Sequence, residues 1–192
     1  MTKDNVSPNT LWQQRAMAFV TRAHRHLWGK NNEDPLAFLF RSGLKNDFVK
    51  QMLIGWNKFG QHRPAENWGL KTQAPETDKI YLGPGMVVPY IESKRLVSVF
   101  IQPFSGPARV LPGSQTPTMG LGDPEKPCLI LFNLLDALFL CQETRSFYLL
   151  IHPDDSFAIA PSQLKQMKSH LPPRVLIAEN AAHPFSRDLL DK

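Results

Sequence analysis

CLILFNLLDALFLCQETRSFYLLI, residues 128–151, decides the fold because two short apolar runs flank a longer apolar segment. The runs CLILF (128–132) and FYLLI (147–151) are typical of buried strands, and LLDALFLCQET (134–144) between them predicts a helix. Farther along, SQLKQMKSHL (162–171) predicts a second helix, RVLIA (174–178) a third strand and PFSRDLLDK (184–192) a further segment. Buried strands that alternate with helices indicate a parallel α/β sheet.

The residues before this stretch follow a different pattern. Apolar side chains at helical spacing predict an amphipathic helix over 11–28, and shorter helices are expected at 34–43 and 46–53. The segment 56–78 is rich in Pro, Gly, Asn and charged residues, which indicates a long irregular connection. Strands are expected at 79–82, 86–91 and 95–101, and a proline-rich loop at 102–127. We therefore expect an α/β protein with a helical and β-hairpin region over 1–127 and an α/β domain over 128–192.

Composition narrows the class of protein. Of the 192 residues, 42% are hydrophobic, and no run approaches the roughly 20 apolar residues that cross a bilayer. The polar N-terminus, MTKDNVSPNT, has no apolar signal segment, so we expect a cytoplasmic protein with no membrane partner. Cys128 and Cys141 lie in apolar stretches, and two thiols alone provide neither a disulfide framework nor a four-ligand zinc site.

Positive charge is concentrated in the N-terminal part of the chain. Residues 1–80 hold 12 Lys and Arg against 7 Asp and Glu, an excess that equals the net charge of +5 of the whole chain. Clustered cations suit a polyanionic partner such as nucleic acid, although many basic proteins bind none.

Several short motifs follow one another in a recognisable order. They are Arg41-Ser42-Gly43-Leu44, Leu53-Ile54-Gly55-Trp56, Val87-Val88-Pro89-Tyr90, Lys94-Arg95-Leu96, Arg109-Val110-Leu111-Pro112-Gly113-Ser114, and the run from Lys126 to Leu138. In this order they resemble the first helical segment, the hairpin, the Pro-Gly-Ser loop and the first TOPRIM strand and helix of bacterial-type DNA primase cores. The resemblance covers residues 12–190 and is closest to primases of phages, plasmids and integrated mobile elements.

The resemblance implies a TOPRIM domain whose metal site has been lost. In the family, carboxylates at the C-terminal ends of adjacent parallel strands hold Mg²⁺, which stabilises phosphoryl transfer. The family's Glu-Gly falls on Phe132-Asn133, and its Asp-x-Asp falls on Glu179-Asn180-Ala181. We therefore expect Phe132, Asn133, Glu179 and Ala181 to be degenerate TOPRIM positions, with no metal and no other cofactor. Asp136, which matches an Asp of the TOPRIM helix, and Glu179 are the weak catalytic candidates.

Two further departures from the family bear on activity. The chain has no Cys/His cluster before residue 41 that would form the zinc-binding module of primases, and it stops at Lys192, before a last TOPRIM strand and helix. We therefore expect a truncated TOPRIM-like domain that does not make primers.

Cations with which primases hold nucleotide phosphates and template are only partly retained. Two of the family's cationic positions fall on uncharged residues of this chain, Gln102-Pro103 and Pro107. A third falls on Arg109 and keeps its charge. Lys94 and Arg95 of the expected hairpin are also cationic. The resemblance therefore implies nucleic-acid binding through Lys94, Arg95 and Arg109.

Two histidine motifs favour structural roles. His24 and His26 are two apart on the expected first helix, so they face different directions and do not form a metal pair. The segment His152-Pro153-Asp154-Asp155 has the composition of a turn.

These observations favour a catalytically inactive, primase-like accessory protein of DNA replication or mobile-element maintenance. It would bind single-stranded DNA or RNA, or a replication protein. Two alternatives stay open. One is a divergent primase or Mg²⁺-dependent nuclease that uses Glu179, Asp136 and Asp154, and the other is a protein-interaction module with no affinity for nucleic acid.

Overall fold

The computed structural model describes residues 10–30, 32–70, 78–152 and 175–177. The chain forms two compact units, Met1–Pro117 and Thr118–Lys192. No helix in the described ranges is both long enough and apolar enough to cross a membrane.

Three helices open the first unit, as the sequence predicted. They are α1 (Thr10–Leu27), α2 (Glu33–Arg41) and α3 (Asn46–Gln51). The apolar face of α1 is buried in the main core of this unit through Trp12, Ala16, Phe19, Val20 and Ala23. These positions recur every three or four residues, the spacing that places side chains on one face of a helix.

The strands of the first unit form two antiparallel sheets. The larger contains β1 (Gly55–Asn57), β4 (Gly85–Glu92), β5 (Arg95–Gln102) and β6 (Arg109–Val110), in the order β1-β4-β5-β6. The smaller pairs β2 (Gln61–Pro64) with β3 (Lys79–Leu82). The expected hairpin is β4 and β5, whose closing pair is Glu92 opposite Arg95.

The expectation of irregular structure over 56–78 was wrong in part. Most of β1, the whole of β2 and a 3₁₀ turn at Glu66–Trp68 lie in this segment. The first three residues of β2 are polar and the strand is largely exposed, so it lacks the apolar alternation that marks a half-buried strand. Its register depends instead on pairing with β3.

Close packing of α1 on β1 explains Gly55 and the two histidines. A Cβ at Gly55 would overlap the backbone of α1 at Ala23 and His24. From α1, the ring nitrogen Nδ1 of His24 lies 2.8 Å from the carbonyl oxygen of Ile54, and Nδ1 of His26 lies 3.1 Å from that of Trp56. Because carbonyl oxygens only accept, each ring donates, and the expected structural role of both histidines agrees with these contacts.

The Arg109–Ser114 motif lies along the edge of β5. Leu111 donates its N–H to the carbonyl of Val99 at 2.8 Å, and the indole of Trp12 donates to the carbonyl of Pro112 at 2.8 Å. Gly113 has φ +88°, and a Cβ there would overlap the Trp12 ring. Glycine is therefore required at this position both by the backbone and by the indole.

The second unit contains a mixed sheet with one helix among its described residues. The elements are β7 (Met119–Leu121), β8 (Cys128–Leu131), α4 (Leu134–Glu143), β9 (Tyr148–Ile151) and β10 (Val175–Ile177), and the strand order is β10-β8-β9-β7. The strand β8 is parallel to both neighbours, as expected, whereas β7 is antiparallel to β9.

The α/β fold class is thus confirmed: N-terminal helices and antiparallel sheets precede a mixed sheet whose three neighbouring strands are parallel. The second unit begins at Thr118, before the division expected between residues 127 and 128, because β7 pairs with β9. The loop expected over 102–127 therefore contains both β6 and β7. The helix predicted at 162–171 and the segment 184–192 lie outside the described residues.

Candidate functional site

The C-terminal end of β8 is the position at which the primase resemblance implies a metal-binding carboxylate. The two residues that follow β8 are the half-buried Phe132 and the exposed Asn133. Asn133 is the N-cap of α4, and its side-chain oxygen accepts hydrogen bonds from the backbone N–H groups of Leu135 at 2.9 Å and Asp136 at 3.3 Å. An asparagine at this position satisfies backbone donors that the first turn of a helix leaves without partners.

Asp136 lies in the first turn of α4, where its side chain is exposed. A negative charge there interacts favourably with the positive end of the helix dipole. The favourable interaction with the helix dipole is a sufficient structural role for Asp136. The residue also lies close in sequence to the end of β8, where the resemblance implies a metal site.

The two residues that follow β8 supply no free oxygen ligand for Mg²⁺. The ion prefers oxygen ligands in octahedral geometry, but Phe132 has an apolar ring and the Asn133 oxygen already accepts two N–H groups. After β9 comes His152, which is buried and donates its backbone N–H to the carbonyl of Leu131 at 2.8 Å. Within the described ranges, no three His, Cys, Asp or Glu side chains are grouped so as to hold a metal. Glu179, Ala181 and Asp154 lie outside those ranges.

The predicted nucleic-acid-binding residues Lys94 and Arg95 lie at the tip of the β4–β5 hairpin, and both are exposed. The two-residue turn consists of Ser93 at φ 48° and Lys94 at φ 64°. Type I′ turns require positive φ at both central positions and therefore favour Asn and Gly. Lys94 thus presents a cation to solvent from a backbone conformation that glycine would adopt at lower cost. Within β4, the Glu92 carboxylate accepts a hydrogen bond from the Tyr90 hydroxyl at 3.3 Å.

Arg109 lies elsewhere on the same sheet. It pairs with Ile101 near the far end of β5, and its side chain is exposed. Arg109 also lines a cavity of about 240 Å³ in the first unit. The other lining residues are Tyr81, Gly83, Pro84, Ile101, Pro103, Ser105, Val110 and Leu111.

Two side-chain amides hold the loops that surround this cavity. Asn57 donates to the carbonyls of Gly83 at 2.6 Å and Leu82 at 3.2 Å, which fixes the turn between β3 and β4. Gln102 is buried and donates to the carbonyls of Pro103 at 3.1 Å and Gly106 at 2.8 Å, which fixes the loop after β5. The cavity therefore has walls shaped by specific hydrogen bonds.

An aromatic pair that the sequence analysis did not single out lies beside the cavity. His62 of β2 is paired with Tyr81 of β3, and their ring centroids are 4.8 Å apart at an interplanar angle of 33°. The Tyr81 side chain packs over Gly60, where a Cβ would overlap its hydroxyl group. Alternation over β3 could have shown that Tyr81 faces outward, but its partner was hidden in a segment interpreted as irregular.

The predicted residues of the first unit form two groups, and those of the second unit are described by themselves. Lys94 and Arg95 share the hairpin tip, Arg109 lies at the cavity near the other end of β5, and Phe132, Asn133 and Asp136 follow β8 in the second unit.

Comparison with known proteins gives a match in structure and none in sequence. No model of a known protein family matches the chain, and no curated protein matches it. The DnaG primase catalytic domain bound to single-stranded DNA superposes with a TM-score of 0.61 at 12% identity, covering 88% of this chain and 62% of that one. A DNA primase domain from Pseudomonas aeruginosa gives a TM-score of 0.62 at 13% identity, with coverages of 86% and 60%. The RNA polymerase domain of Mycobacterium tuberculosis DnaG in complex with double-stranded DNA gives 0.63 at 7% identity, with coverages of 92% and 66%.

At such low identity the comparison establishes the fold. The chain spans 62% of the length of the DnaG catalytic domain bound to single-stranded DNA. Its helices, antiparallel sheets and mixed sheet correspond to the fold of primase catalytic cores.

Proposed function

We propose that this protein is a catalytically inactive, primase-like accessory of DNA replication or mobile-element maintenance that binds single-stranded nucleic acid. The observation that carries the proposal is the end of β8, where the half-buried Phe132 and the helix-capping Asn133 follow the strand at the position to which the resemblance assigns a metal-binding carboxylate. The second unit would then be a degenerate TOPRIM domain.

Phosphoryl transfer at a TOPRIM site depends on carboxylates that hold Mg²⁺ at the ends of parallel strands. The oxygen of Asn133 is engaged by backbone N–H groups, and Phe132 offers no oxygen. The alignment by resemblance also puts Ala181 at a family carboxylate position. These substitutions support the absence of primer synthesis and of nuclease activity.

The first unit supports the nucleic-acid part of the proposal. Lys94, Arg95 and Arg109 are exposed cations, and Lys94 is held at φ 64°. Keeping a cation in a backbone conformation that costs free energy suggests that the charge itself is used. Among proteins with this fold, one DnaG structure contains single-stranded DNA and another contains double-stranded DNA.

A primer-synthesis and DNA-cleavage assay tests catalytic inactivity. The purified protein is incubated with single-stranded template, nucleoside triphosphates and Mg²⁺ or Mn²⁺, with a DnaG-type primase as the positive control. We expect neither primers nor cleavage products. Template-dependent synthesis that disappears in Glu179→Gln or Asp136→Asn would establish the divergent enzyme instead. Absence of both activity and oligonucleotide binding would favour the interaction module, with a replication protein as its partner.

A further inference from the structure

The cavity of the first unit combines an aromatic ring, a cation and a size suited to a small planar group. Tyr81 and Arg109 both line it, and its volume is about 240 Å³. Pockets for drug-sized ligands usually measure about 300–1,000 Å³. This cavity is smaller, so a single nucleobase suits it better than a larger ligand does.

Tyr81 is available for stacking. Its side chain remains 40% exposed although one side packs over Gly60 and the ring of His62 lies 4.8 Å away. Tyr81 lines the cavity, and its ring together with the adjacent His62 ring forms a surface on which a base can continue the stack. Stacking of this kind tolerates any sequence, because every base has a π-face.

Arg109 supplies the complementary charge. A guanidinium at the cavity wall can contact the phosphate attached to a base that lies on Tyr81. The loops on both sides are fixed by Asn57 and Gln102, so the cavity is formed before any ligand arrives. Such preorganisation lowers the entropy cost of binding.

We propose that the cavity lined by Tyr81 and Arg109 binds one nucleotide of a single strand, with its base stacked on Tyr81 and its phosphate at Arg109. This inference rests on the proposed binding of single-stranded nucleic acid and names the place where one base is held. A free mononucleotide also carries a base and a phosphate, so the experiment distinguishes a nucleotide within a strand from a free mononucleotide.

The experiment uses the full chain and a short oligothymidylate that contains 2-aminopurines and a 5′ fluorescein. Anisotropy of the fluorescein reports binding, and quenching of 2-aminopurine fluorescence reports stacking. We expect wild type to quench the 2-aminopurine signal. Tyr81→Leu should abolish that quenching and weaken binding about 5- to 150-fold, the factor that corresponds to one base stacked on an aromatic side chain. Tyr81→Phe should retain both signals, because it keeps the ring.

Two further variants make the result specific. Phe59→Leu is the matched control, since Phe59 is an exposed aromatic, 64% accessible, that does not line the cavity. It should bind as wild type does. Ser105→Phe introduces a ring into the cavity from an exposed loop position, and it should weaken binding as Tyr81→Leu does.

The outcomes separate this inference from the proposed function. If wild type binds the oligonucleotide but Tyr81→Leu and Ser105→Phe bind and quench as wild type does, the base site is wrong and nucleic-acid binding stands. If wild type binds no oligonucleotide, both proposals fail. If a free mononucleotide displaces the strand at micromolar concentration, the cavity is a mononucleotide site and the strand assignment is overturned.

Discussion

Arg95 begins β5, whereas Arg109 on β6 pairs with Ile101 near the other end of β5, six positions after Arg95. At about 3.3 Å per strand residue, the two backbone positions are about 20 Å apart. The two guanidinium groups therefore do not share one phosphate, and a strand that contacts both must follow the sheet. The contributions of Arg95 and Arg109 to the free energy of binding are therefore expected to be additive.

The first prediction concerns that additivity. Each phosphate contact on a single strand contributes about −0.7 to the slope of log affinity against log salt. Arg95→Ala and Arg109→Ala should each flatten the slope by about 0.7, and the double variant by about 1 to 1.5. Salt titrations by fluorescence anisotropy measure this. Arg145→Ala, an exposed cation of the second unit, serves as the control and should leave the slope unchanged. A double variant no different from either single one would contradict independent contacts.

A second prediction follows from the conformation of Lys94. At φ 64°, a residue with a Cβ pays about 1 kcal/mol or more relative to glycine. Lys94→Gly should therefore raise the free energy of unfolding by about 1 kcal/mol while it weakens oligonucleotide binding. Urea denaturation and anisotropy give the two readouts. Lys94→Asn separates charge from backbone, because asparagine also tolerates positive φ. If Lys94→Gly binds as tightly as wild type, the cation has no part in recognition.

Gly113 and Gly106 provide a matched pair for the third prediction. Both have φ +88°, but a Cβ at Gly113 would overlap Trp12, whereas nothing lies within 4 Å of a Cβ at Gly106. Gly106→Ala should lower the free energy of unfolding by about 1–2 kcal/mol, because alanine is less favourable than glycine at this φ. Gly113→Ala should cost about 1–3 kcal/mol more, because the indole that bonds to Pro112 must move. If urea denaturation shows that both variants lose the same free energy of unfolding, the loop at Gly113 accommodates the methyl group without disturbing Trp12.

The fourth prediction is a pH dependence of the second unit. Burial raises the pKa of the Cys128 thiol to about 11, whereas an unfolded thiol titrates near about 8.5. Between these values the folded state keeps a proton that the unfolded state loses, so stability falls as pH rises from about 8.5 to about 11. Burial also raises the pKa of Cys141, while the nearby Arg145 lowers it. In denaturation experiments over this pH range, the free energy of unfolding should fall less in Cys128→Ala than in wild type. An identical fall in both proteins would exclude Cys128 as its source.

The fold could be predicted where residues repeat with a clear period. The spacing of Trp12, Ala16 and Phe19 gives α1, and the apolar runs that follow Pro127 and Ser146 give the parallel strands β8 and β9. The strand β2 could not be predicted, because its polar residues show no alternation and it is paired only through β3. The two residues of β6 are too short to produce a pattern.

The candidate sites were predictable to different degrees. The hairpin cations were found because Lys94 lies between two clear strands and Arg95 begins the second of them. The cavity was missed because Tyr81 and Arg109 are distant in sequence and meet only through the folded loops around it. The cap at Asn133 follows a general rule, since asparagine before an apolar helix is a common start signal.

Equilibrium binding of wild type to labelled single-stranded DNA over a series of salt concentrations tests the central claim most directly. About three to five phosphate contacts should give a log–log slope of about −2 to −3.5, with micromolar affinity at physiological salt and little sequence preference. Because this term comes from released counterions, binding should tighten steadily as salt is lowered. Absence of binding even near about 50 mM salt, where such contacts are at their strongest, would contradict the nucleic-acid function and leave a protein-interaction module in its place.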